Sequence, residues 1–561
     1  MKKPVFILLL ALILCITANI SGVFPPCYAD DIQPEQNTAL LDKAEFVQDT
    51  SGAEQMVVTA HPLATQAAYD VLEQGGNAAD AAIAAQLVLG LVEPQSSGLG
   101  GGGFALYYDA QKDKLFTIDG RETAPKTAHA DMFLDAQGVP LHFFSASTSK
   151  QSIGQPATPD LLYTLNRRFG TPAFWDASFT RAISLAQNGF TVTPRLADSV
   201  EKYQDRLSKN NSLPYFQHAD GTLLQAGDIL SNTHYAKTLL NFRETGPRFL
   251  SPQYHVKQRD NLCGAYRQYK ICSMTEPSSG GLTLLYILGL LEPYDLGEAP
   301  NDLAYHLYLE ASKLAFADRN HYMADPDFVK TPGQRLIDKS YLDTRRRLIL
   351  VNQANPTPEY GVPMGWRAED KADHSGPEEG GTTHISIIDR FGNALSMTSS
   401  IEFAFGSGFM KDGYFLNNQL TDFSFLPEKN GHKIANRVEA GKRPRSSMSP
   451  VIIFDKNNKP VMVIGSAGGS RIIGYVAQRI IALIDWHMSP KAALAMPSLL
   501  ARSAKVDAET GFDPAILASL KEKGHIIKNR ALNSGMTLIH QQDALYYGAA
   551  DPRREGTALG R

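Results

Sequence analysis

The chain has 561 residues, of which 43% are hydrophobic, and a formal net charge of −4. This length suits one large domain or two ordinary ones, and the apolar content is typical of a globular protein. The slightly acidic balance argues against a nucleic-acid surface, which needs an excess of basic residues. Single basic runs such as GKRPRSS, residues 441–447, are therefore interpreted locally.

The chain begins with the pattern of an export signal. Two lysines precede an apolar run, Phe6–Ile20, and small residues follow at Cys27–Ala29. This pattern predicts a signal peptide over residues 1–29 that is cut before Asp30. An uncleaved membrane anchor is the alternative, but the apolar run is short and ends in Gly and Pro residues. We therefore expect a periplasmic or secreted protein with no membrane segment after signal removal.

Two helices and a glycine-rich turn are predicted next. HPLATQAAYDVLEQGG, residues 61–76, has Pro62 in its first turn and two glycines as its stop, and Asn77 is a good N-cap for the helix after it. Gly98–Gly103 then matches G-x-G-x-x-G. A dinucleotide site needs a strand before this motif and a helix after it, and here the order is reversed. The run therefore predicts a close-packed turn instead of a nucleotide site.

The remaining chain alternates helical and strand patterns. Helical patterns occupy about residues 155–350, and helices resume with RIIGYVAQRIIALIDWH and DPAILASLKEKG. After Gly381, short β-type runs are separated by Gly, Asn and Pro turns, namely THISIID, NALSMTSSIEF, YFLNNQL, PVIIFD and PVMVIGSAGG. This content predicts an α/β body in which helices cover sheets, without separate domains.

The two cysteines that remain after signal removal are Cys263 and Cys272. They flank GAYRQYKI, whose alternation predicts a pair of strands. An even, closely spaced pair in an oxidising compartment favours a disulfide bond. Two free buried thiols are the alternative.

A candidate nucleophile lies at the start of a predicted hairpin. THISIID and NALSMTSSIEF read as two strands around a turn at Arg390–Asn393. A two-residue loop pairs Thr382 with Ile401, and a three-residue bulged loop pairs it with Ser400. Either register brings the Ser400 hydroxyl close to Thr382. A threonine hydroxyl needs a base beside it, and its own α-amine serves only if the chain is cut before that residue.

The chain resembles the γ-glutamyltranspeptidase family of N-terminal-nucleophile hydrolases over nearly all of its mature length. The segments that carry the resemblance are TAHPLATQAAYDVLEQGGNAADAA, SSGLGGGGF, DGRETAP, PSSGG, ADRNHYMADPDF, GGTTHISIID, LNNQLTDFS, GKRPRSSMSP, GSAGGSRI and GAADPRREGTA. The resemblance implies a four-layer αββα sandwich. It also implies that the precursor cleaves itself between Gly381 and Thr382, giving a large chain of residues 30–381 and a small chain of residues 382–561.

The resemblance further implies a γ-glutamyltransferase and glutathione hydrolase that needs no cofactor. Thr382 would attack the γ-carbonyl of glutathione or another γ-glutamyl amide, with its freed amine as base. Water or the amine of an amino acid or dipeptide would then release the acyl group. The N–H groups of Gly468 and Gly469 match the family's oxyanion hole, and Ser400 matches a second threonine that orients the nucleophile.

Further matches concern the α-carboxylate and α-ammonium of the glutamyl group. Arg121 matches the residue that binds the carboxylate, which suits a planar fork of donors. Ser446 and Ser447 match paired serines that help to hold the same carboxylate. Asp422 matches the acid that pairs with the ammonium, and Gln419 occupies a family contact position.

This sequence departs from the family pattern in three places. Ser400 keeps a hydroxyl but lacks the methyl group that fixes a threonine rotamer. Glu402 stands where many relatives carry asparagine, so the ammonium would meet two carboxylates unless Glu402 is protonated or paired elsewhere. The segment between Asp422 and Lys442 is short and lacks the tyrosine of the family's lid, which predicts a more open site that tolerates bulky leaving groups.

Two other functions were weighed. An acylase of the same family, acting on glutaryl or related side chains of β-lactam amides, is disfavoured by Glu402 and Asp422 because a glutaryl group has no ammonium. An exported, uncleaved peptide-binding protein is disfavoured by the complete set of matched residues. Metal catalysis has little support, because no H-E-x-x-H or paired Cys/His spacing occurs and isolated histidines such as His384 are expected to be structural.

Overall fold

The structure is a computed structural model that describes residues 48–366 and 381–561. The predicted signal peptide, residues 1–29, and the predicted cut before Asp30 lie outside these ranges. Within the described ranges, no helix combines the length and the hydropathy needed to cross a bilayer.

The strands of the described chain run in the following order: β1 Asp49–Gly52, β2 Met56–Thr59, β3 Gly102–Asp109, β4 Lys114–Gly120, β5 Phe190–Thr191, β6 Ile229–Leu230, β7 Lys257–Arg259, β8 Leu262–Tyr266, β9 Tyr269–Ser273, β10 Gly381–Ile388, β11 Ala394–Glu402, β12 Met410–Lys411, β13 Tyr414–Phe415, β14 Glu428–Lys429, β15 His432–Lys433, β16 Val451–Phe454, β17 Pro460–Gly465, β18 Leu499–Ala501, β19 Lys505–Glu509, β20 Ile526–Arg530, β21 Thr537–Gln542, β22 Leu545–Ala550 and β23 Thr557–Gly560.

The α-helices of the described chain are α1 Pro62–Glu73, α2 Ala78–Val92, α3 Phe143–Ser147, α4 Thr158–Phe169, α5 Trp175–Asn188, α6 Pro194–Lys202, α7 Gln204–Lys209, α8 Thr233–Thr245, α9 Gly280–Leu291, α10 Asp302–Tyr322, α11 Lys339–Arg346, α12 Arg471–Ile484, α13 Pro490–Ala495 and α14 Pro514–Glu522.

Two seven-stranded antiparallel sheets form the centre of the fold. One has the order β1-β22-β21-β17-β16-β9-β8, and the other has the order β23-β2-β10-β11-β3-β4-β7. Apolar side chains fill the space between the sheets, among them Val58, Leu106, Ile388, Val463 and Ile539. Strands from both ends of the chain enter each sheet, so residues before and after Gly381 build one common body.

Helices cover the outer face of each sheet. Helices α9, α10 and α12 bury their apolar residues against the first sheet. Helices α1, α2, α4, α5 and α8 form the corresponding layer on the second sheet. The result is the αββα sandwich that the resemblance implied, with the hydrophobic effect acting in three successive layers.

The predicted start and stop signals of the first helices are confirmed. Helix α1 begins at Pro62 and ends at Glu73, just before Gly75, whose φ of +101° does not continue a helix. The Asn77 side chain accepts hydrogen bonds from the backbone of Ala79 and Asp80, which is the predicted N-cap of α2.

The glycine-rich run after α2 is the predicted close-packed turn. A Cβ on Gly100 would lie 1.9 Å from the carbonyl oxygen of Phe415, and one on Gly101 would lie 2.1 Å from that of Ser400. Only glycine permits this approach. The turn therefore brings the start of β3 directly onto the end of β11.

The hairpin β10–β11 lies at the centre of the second sheet, and its register pairs Thr382 with Ser400. A bulge between Gly381 and Thr382 then pairs Gly381 with Glu402. The three-residue turn register is therefore the one that forms, and the Ile401 register is not adopted.

One strand prediction was largely wrong. YFLNNQL forms strand only over Tyr414–Phe415 and then turns into a short 3₁₀ helix, Gln419–Asp422. The Asn417 carboxamide oxygen accepts hydrogen bonds from the backbone N–H groups of Gln419 and Gly154. This side-chain bonding replaces a strand ladder, and the 3₁₀ helix that follows ends at Asp422, which contacts Arg121.

The two cysteines lie opposite each other on the predicted strand pair. Cys263 on β8 and Cys272 on β9 are directly paired, and their sulfur atoms are bonded. The disulfide bond thus links the edge strand β8 of the first sheet to its neighbour β9.

Candidate active site

Two hydroxyl groups lie side by side where β10 begins. Thr382 Oγ1 is 3.0 Å from Ser400 Oγ, and both residues are almost fully buried. Ser400 Oγ also donates a hydrogen bond of 2.8 Å to the carbonyl oxygen of Gly381, the residue before Thr382. One serine hydroxyl thus contacts both the candidate nucleophile and the carbonyl that this nucleophile would attack.

Gly381 is confined by the chain around it. A Cβ at this position would lie 2.0 Å from the carbonyl oxygen of Gln95 and 3.1 Å from that of Phe403. No side chain fits there without moving two backbone segments. The glycine before the predicted cut is therefore required by packing as well as by access to its carbonyl carbon.

Arg121 lies in a cage of acceptors. Its Nη2 is 2.5 Å from Asp422 Oδ2 and 3.1 Å from the Arg445 carbonyl, and its Nε donates to the Pro444 carbonyl. Gln419 Nε2 donates to the same Asp422 oxygen at 2.6 Å. The Arg121 side chain is 1% exposed and that of Asp422 is 22% exposed. Three predicted binding residues are therefore joined, and Asp422 faces solvent.

The predicted serine pair lies on the loop that Arg121 contacts. Ser446 Oγ accepts a hydrogen bond from the backbone N–H of Met448. Ser447 Oγ accepts one of 2.6 Å from Arg319 Nη2. The two hydroxyls are thus held by different partners, and Ser447 brings the cation of Arg319 to this side of the site.

Gly468 and Gly469 lie at the N-terminus of helix α12. Their carbonyls accept the first hydrogen bonds of that helix, from Arg471 and Ile472. Neither glycine N–H donates to another residue of the described chain. Both have positive φ, +118° and +57°. Free N–H groups at the positive end of a helix suit the stabilisation of a negative oxygen.

Glu402 is buried beside Asp422 with a φ of +78°, just after the bulge. Asn418 Nδ2 donates to its carboxyl oxygen Oε2. Burial and the neighbouring Asp422 carboxylate raise the pKa of Glu402 well above its usual range, against the opposing charges of Arg206 and Arg121. Both influences favour the protonated form of Glu402, which lessens the second negative charge of the predicted pair.

A second buried acid, Glu122, was not singled out from the sequence. Neither of its carboxyl oxygens has a hydrogen-bond partner in another described residue, and Oε2 is 3.9 Å from Arg121 Nη1. A Cβ on Gly102 would lie 2.6 Å from this oxygen. Burial raises the pKa of Glu122 from 4.5 to about 8, and the charge of Arg121 only partly opposes this. Its position next to Arg121 was the available sequence signal.

Replacing Glu122 with Gln should change how stability depends on pH. The Glu122 carboxyl has a pKa of about 8 in the folded protein and about 4.5 in the unfolded chain. Its contribution to the free energy of unfolding of wild type is therefore fully present below pH 4.5 and is lost as the pH rises through 8. Gln does not titrate. The free energy of unfolding of Glu122→Gln relative to wild type should therefore rise by up to ~1.4 kcal/mol per pH unit across that window. Urea unfolding at pH 5, 6.5 and 8 measures it.

The exposed Glu428 provides the control. Glu428→Gln should follow the wild-type stability at every pH. A Glu122→Gln curve parallel to wild type would contradict a buried, protonated Glu122.

The histidine in the motif has a structural environment. His384 Nδ1 is 2.8 Å from Thr398 Oγ1, and its Nε2 is 3.2 Å from Ser396 Oγ. Burial lowers its pKa to about 3, so the ring is neutral. It packs against Gly465, where a Cβ would lie 2.2 Å from the ring. His384 thus packs between the two sheets below the site, as expected for a structural histidine.

A cluster of side chains of the kind that bind metals lies elsewhere, where His525, just before β20, meets α10. The ligand atoms of His306, Glu310 and His525 come within 4.8 Å of one another. Lys313 Nζ is 2.8 Å from Glu310 Oε1 and 3.2 Å from His525 Nδ1. The lysine ammonium and a divalent cation would compete for the same lone pairs, so the lysine already supplies the cation here.

Sequence reasoning also missed the residues that hold the backbone of Thr382. Arg554 Nη1 donates to the Thr382 carbonyl oxygen at 2.9 Å, and Arg554 Nε donates to Asn533 Oδ1 at 3.0 Å. Arg554 belongs to the GAADPRREGTA segment that carries part of the resemblance. That segment was the only signal, because 172 residues separate the two partners.

The described residues thus provide a buried pair of hydroxyls, two backbone N–H groups at a helix N-terminus and an ion pair, which are the groups that a nucleophilic attack, an oxyanion and a zwitterion would need. A hydroxyl at the start of a central strand, inside an αββα sandwich, defines the class of N-terminal-nucleophile hydrolases. The family profile described as Gamma-glutamyltranspeptidase matches residues 64–250 and 252–561. The chain belongs to the gamma-glutamyltranspeptidase family.

Known relatives support this placement. The glutathione hydrolase proenzyme of Bacillus subtilis strain 168 is 34% identical, over 97% of this chain and 98% of that protein. The acylase ACY 1 proenzyme of Pseudomonas sp. strain SE83 is 31% identical, over 91% of this chain and 94% of that protein. Relatives of this chain thus carry both names, glutathione hydrolase and acylase.

Solved structures agree with the fold. The cephalosporin acylase from Bacillus halodurans has a TM-score of 0.80 at 24% identity and covers 91% of this chain and 97% of that chain. The gamma-glutamyltranspeptidase of Helicobacter pylori has a TM-score of 0.52 at 31% identity and covers 55% of this chain and 97% of that chain.

Proposed function

We propose that this chain is the precursor of a γ-glutamyltransferase and glutathione hydrolase that cleaves itself between Gly381 and Thr382. The observation that carries the proposal is the contact of the Ser400 hydroxyl with both Thr382 Oγ1 and the Gly381 carbonyl oxygen. The products are a large chain of residues 30–381 and a small chain of residues 382–561. The export signal directs the enzyme to the periplasm or the exterior.

Self-cleavage is an acyl shift from nitrogen to oxygen. Thr382 Oγ attacks the Gly381 carbonyl carbon, and the Ser400 hydroxyl donates to the carbonyl oxygen as it becomes negative. The C–N bond breaks, and the departing nitrogen takes up the proton that the hydroxyl lost. Water then hydrolyses the ester, which leaves a carboxylate on Gly381 and a free hydroxyl and amine on Thr382.

The mature reaction uses the same hydroxyl. The free amine of Thr382, with an unperturbed pKa near 8, takes the hydroxyl proton while Oγ attacks the γ-carbonyl of the substrate. The N–H groups of Gly468 and Gly469 stabilise the oxyanion. The amine then passes the proton to the leaving nitrogen, and water or an acceptor amine attacks the acyl-enzyme in the same manner.

The Arg121–Asp422 pair recognises the α-carbon of the glutamyl group. Without substrate, the two charges neutralise each other at 2.5 Å. A bound amino acid brings a carboxylate for Arg121 and an ammonium for Asp422, so one internal pair is replaced by two pairs. Glu402, whose protonated form is favoured by burial, adds a polar group beside Asp422. Ser446 and Ser447 line the carboxylate side.

The short segment after Asp422 leaves that carboxylate accessible. The segment includes the exposed hairpin β14–β15, and 22% of the Asp422 side chain stays in contact with solvent. We extend the proposal to leaving groups larger than cysteinylglycine, because no tyrosine of this segment closes over the site.

Comparison of two anilides tests the function against the acylase alternative. A glutaryl anilide keeps the free carboxylate of a γ-glutamyl anilide and lacks only the ammonium. We expect kcat/KM at least about 100-fold higher for the γ-glutamyl anilide, because the glutaryl group leaves Asp422 without a cation after Arg121 turns to the carboxylate. Equal or reversed rates would favour the acylase function.

A further inference from the structure

Arg554 is a buried arginine whose charge is directed at the backbone of the nucleophile. It is 4% exposed, and its Nη1 is 2.9 Å from the Thr382 carbonyl oxygen. It lies on the short segment between β22 and β23, 172 residues from Thr382. The catalytic steps above make no use of it.

The arginine is held on three sides. Its Nε donates to Asn533 Oδ1 at 3.0 Å, and its Nη1 is 3.5 Å from Glu93 Oε1. Its stem lies over Gly535, where a Cβ would come within 2.3 Å of Nε. Gly535 has a φ of +66°, a conformation that also favours glycine. The guanidinium is therefore fixed before any substrate binds.

The edge of β10 at Thr382 needs such a partner. Strand β2 pairs with β10 over Ser386–Ile388 in the described chain, so the first residues of β10 extend beyond their neighbour on that side. In this stretch Arg554 supplies the donor that a strand N–H would otherwise supply. On the opposite side, β11 pairs with Thr382 through Ser400.

Cleavage makes this contact more important. Once the bond to Gly381 is cut, Thr382 is the first residue of its chain, and chain ends lose order unless they are held. A hydroxyl nucleophile must stay within a few tenths of an ångström of its attack position. Arg554 holds the end of the strand through the Thr382 carbonyl, on the side opposite β11.

We propose that Arg554 is a positioning residue for the N-terminal nucleophile, which it holds through the Thr382 carbonyl after the chain is cut. The inference rests on the proposed function, because it needs a free N-terminus at Thr382. The side chain does not contact the substrate. Its effect should therefore appear in kcat and leave KM nearly unchanged.

Two substitutions test the proposal on the purified, self-cleaved enzyme with a γ-glutamyl anilide. Arg554→Met removes the donor and the charge, and kcat should fall about 30-fold or more with KM within about threefold of wild type. Arg554→Lys can still reach the carbonyl with one donor, so kcat should fall only about three- to tenfold. An Arg554→Met enzyme with wild-type kcat, or one whose loss lies in KM, would overturn the proposal.

Arg345 supplies the matched control. It is equally buried, pairs with Asp318 and donates to the Glu359 carbonyl, remote from Thr382. Arg345→Met should lower the melting temperature and leave the kcat of the folded enzyme unchanged. If Arg554→Met does not fold, Arg554→Lys decides alone, and an unchanged kcat in that variant would refute the assignment.

The wild-type protein separates this inference from the proposed function. Two chains and γ-glutamyl turnover in wild type establish the function whatever the Arg554 variants do. A wild-type protein that is uncleaved or inactive toward the anilide would reject the function first, and the positioning role with it.

Discussion

Thr382→Ala should yield a single uncleaved chain without measurable γ-glutamyl transfer or hydrolysis. The substitution removes the hydroxyl that attacks the Gly381 carbonyl carbon and later the substrate. Neither the acyl shift nor the acyl-enzyme can then form. We expect activity to fall by at least about 10⁴-fold, the scale of losing a catalytic nucleophile. Denaturing gels and N-terminal sequencing of the smaller wild-type band measure cleavage, and turnover of a γ-glutamyl anilide measures activity.

Thr382→Ser serves as the control for this prediction. It keeps the hydroxyl and loses only the methyl group, so two chains should still appear, more slowly because the serine rotamer is less restricted. The smaller chain should begin at residue 382 in both wild type and this variant. An intact wild-type chain with full activity would disprove the mechanism.

Asp422→Asn should lower kcat/KM for a γ-glutamyl anilide by about 10³-fold, mainly through KM. The neutral amide cannot pair with the substrate ammonium, whereas Arg121 can still bind the substrate carboxylate. Removing one member of a buried ion pair typically costs about 3–5 kcal/mol, which corresponds to this factor. Self-cleavage should proceed, because Thr382 and Ser400 are unchanged.

Glu402→Gln is the matched comparison for Asp422→Asn. Because burial and the Asp422 charge favour the protonated form of Glu402, the amide reproduces the shape and the charge of that form. We expect kcat/KM within about threefold of wild type. A loss as large as that of Asp422→Asn would show that Glu402 carries a charge in the site, and a small effect of Asp422→Asn would contradict its role with the ammonium.

The parts of the site that the sequence predicted depend on local rules. The pairing of Thr382 with one of two opposite residues followed from the length of a turn, and the structure selected Ser400 because a three-residue loop was formed. The helix boundaries at Pro62 and Asn77 followed from capping. The YFLNNQL strand failed because the Asn417 side chain bonds the local backbone, a contact that alternation of residue types does not reveal.

Other features depended on distant partners. The Arg121–Asp422 pair spans 301 residues, and the resemblance suggested both residues as substrate ligands without showing that they bind each other. The protonation of Glu402 and Glu122 depends on burial between the second sheet and its loops, which removes the water that would stabilise a carboxylate. Sequence neighbours alone do not give the degree of burial.

The sequence by itself indicated the family, and the resemblance implied the proposed nucleophile and the proposed cut. Many of the helices and strands follow from periodicities of 3.6 and two residues, which the backbone enforces locally. The tertiary structure alone decided which charges meet and which acids keep their protons, and it placed the cation that holds the start of β10. Those outcomes arise where two sheets from both halves of the chain pack together, because electrostatic free energies depend on distance and on exclusion of water.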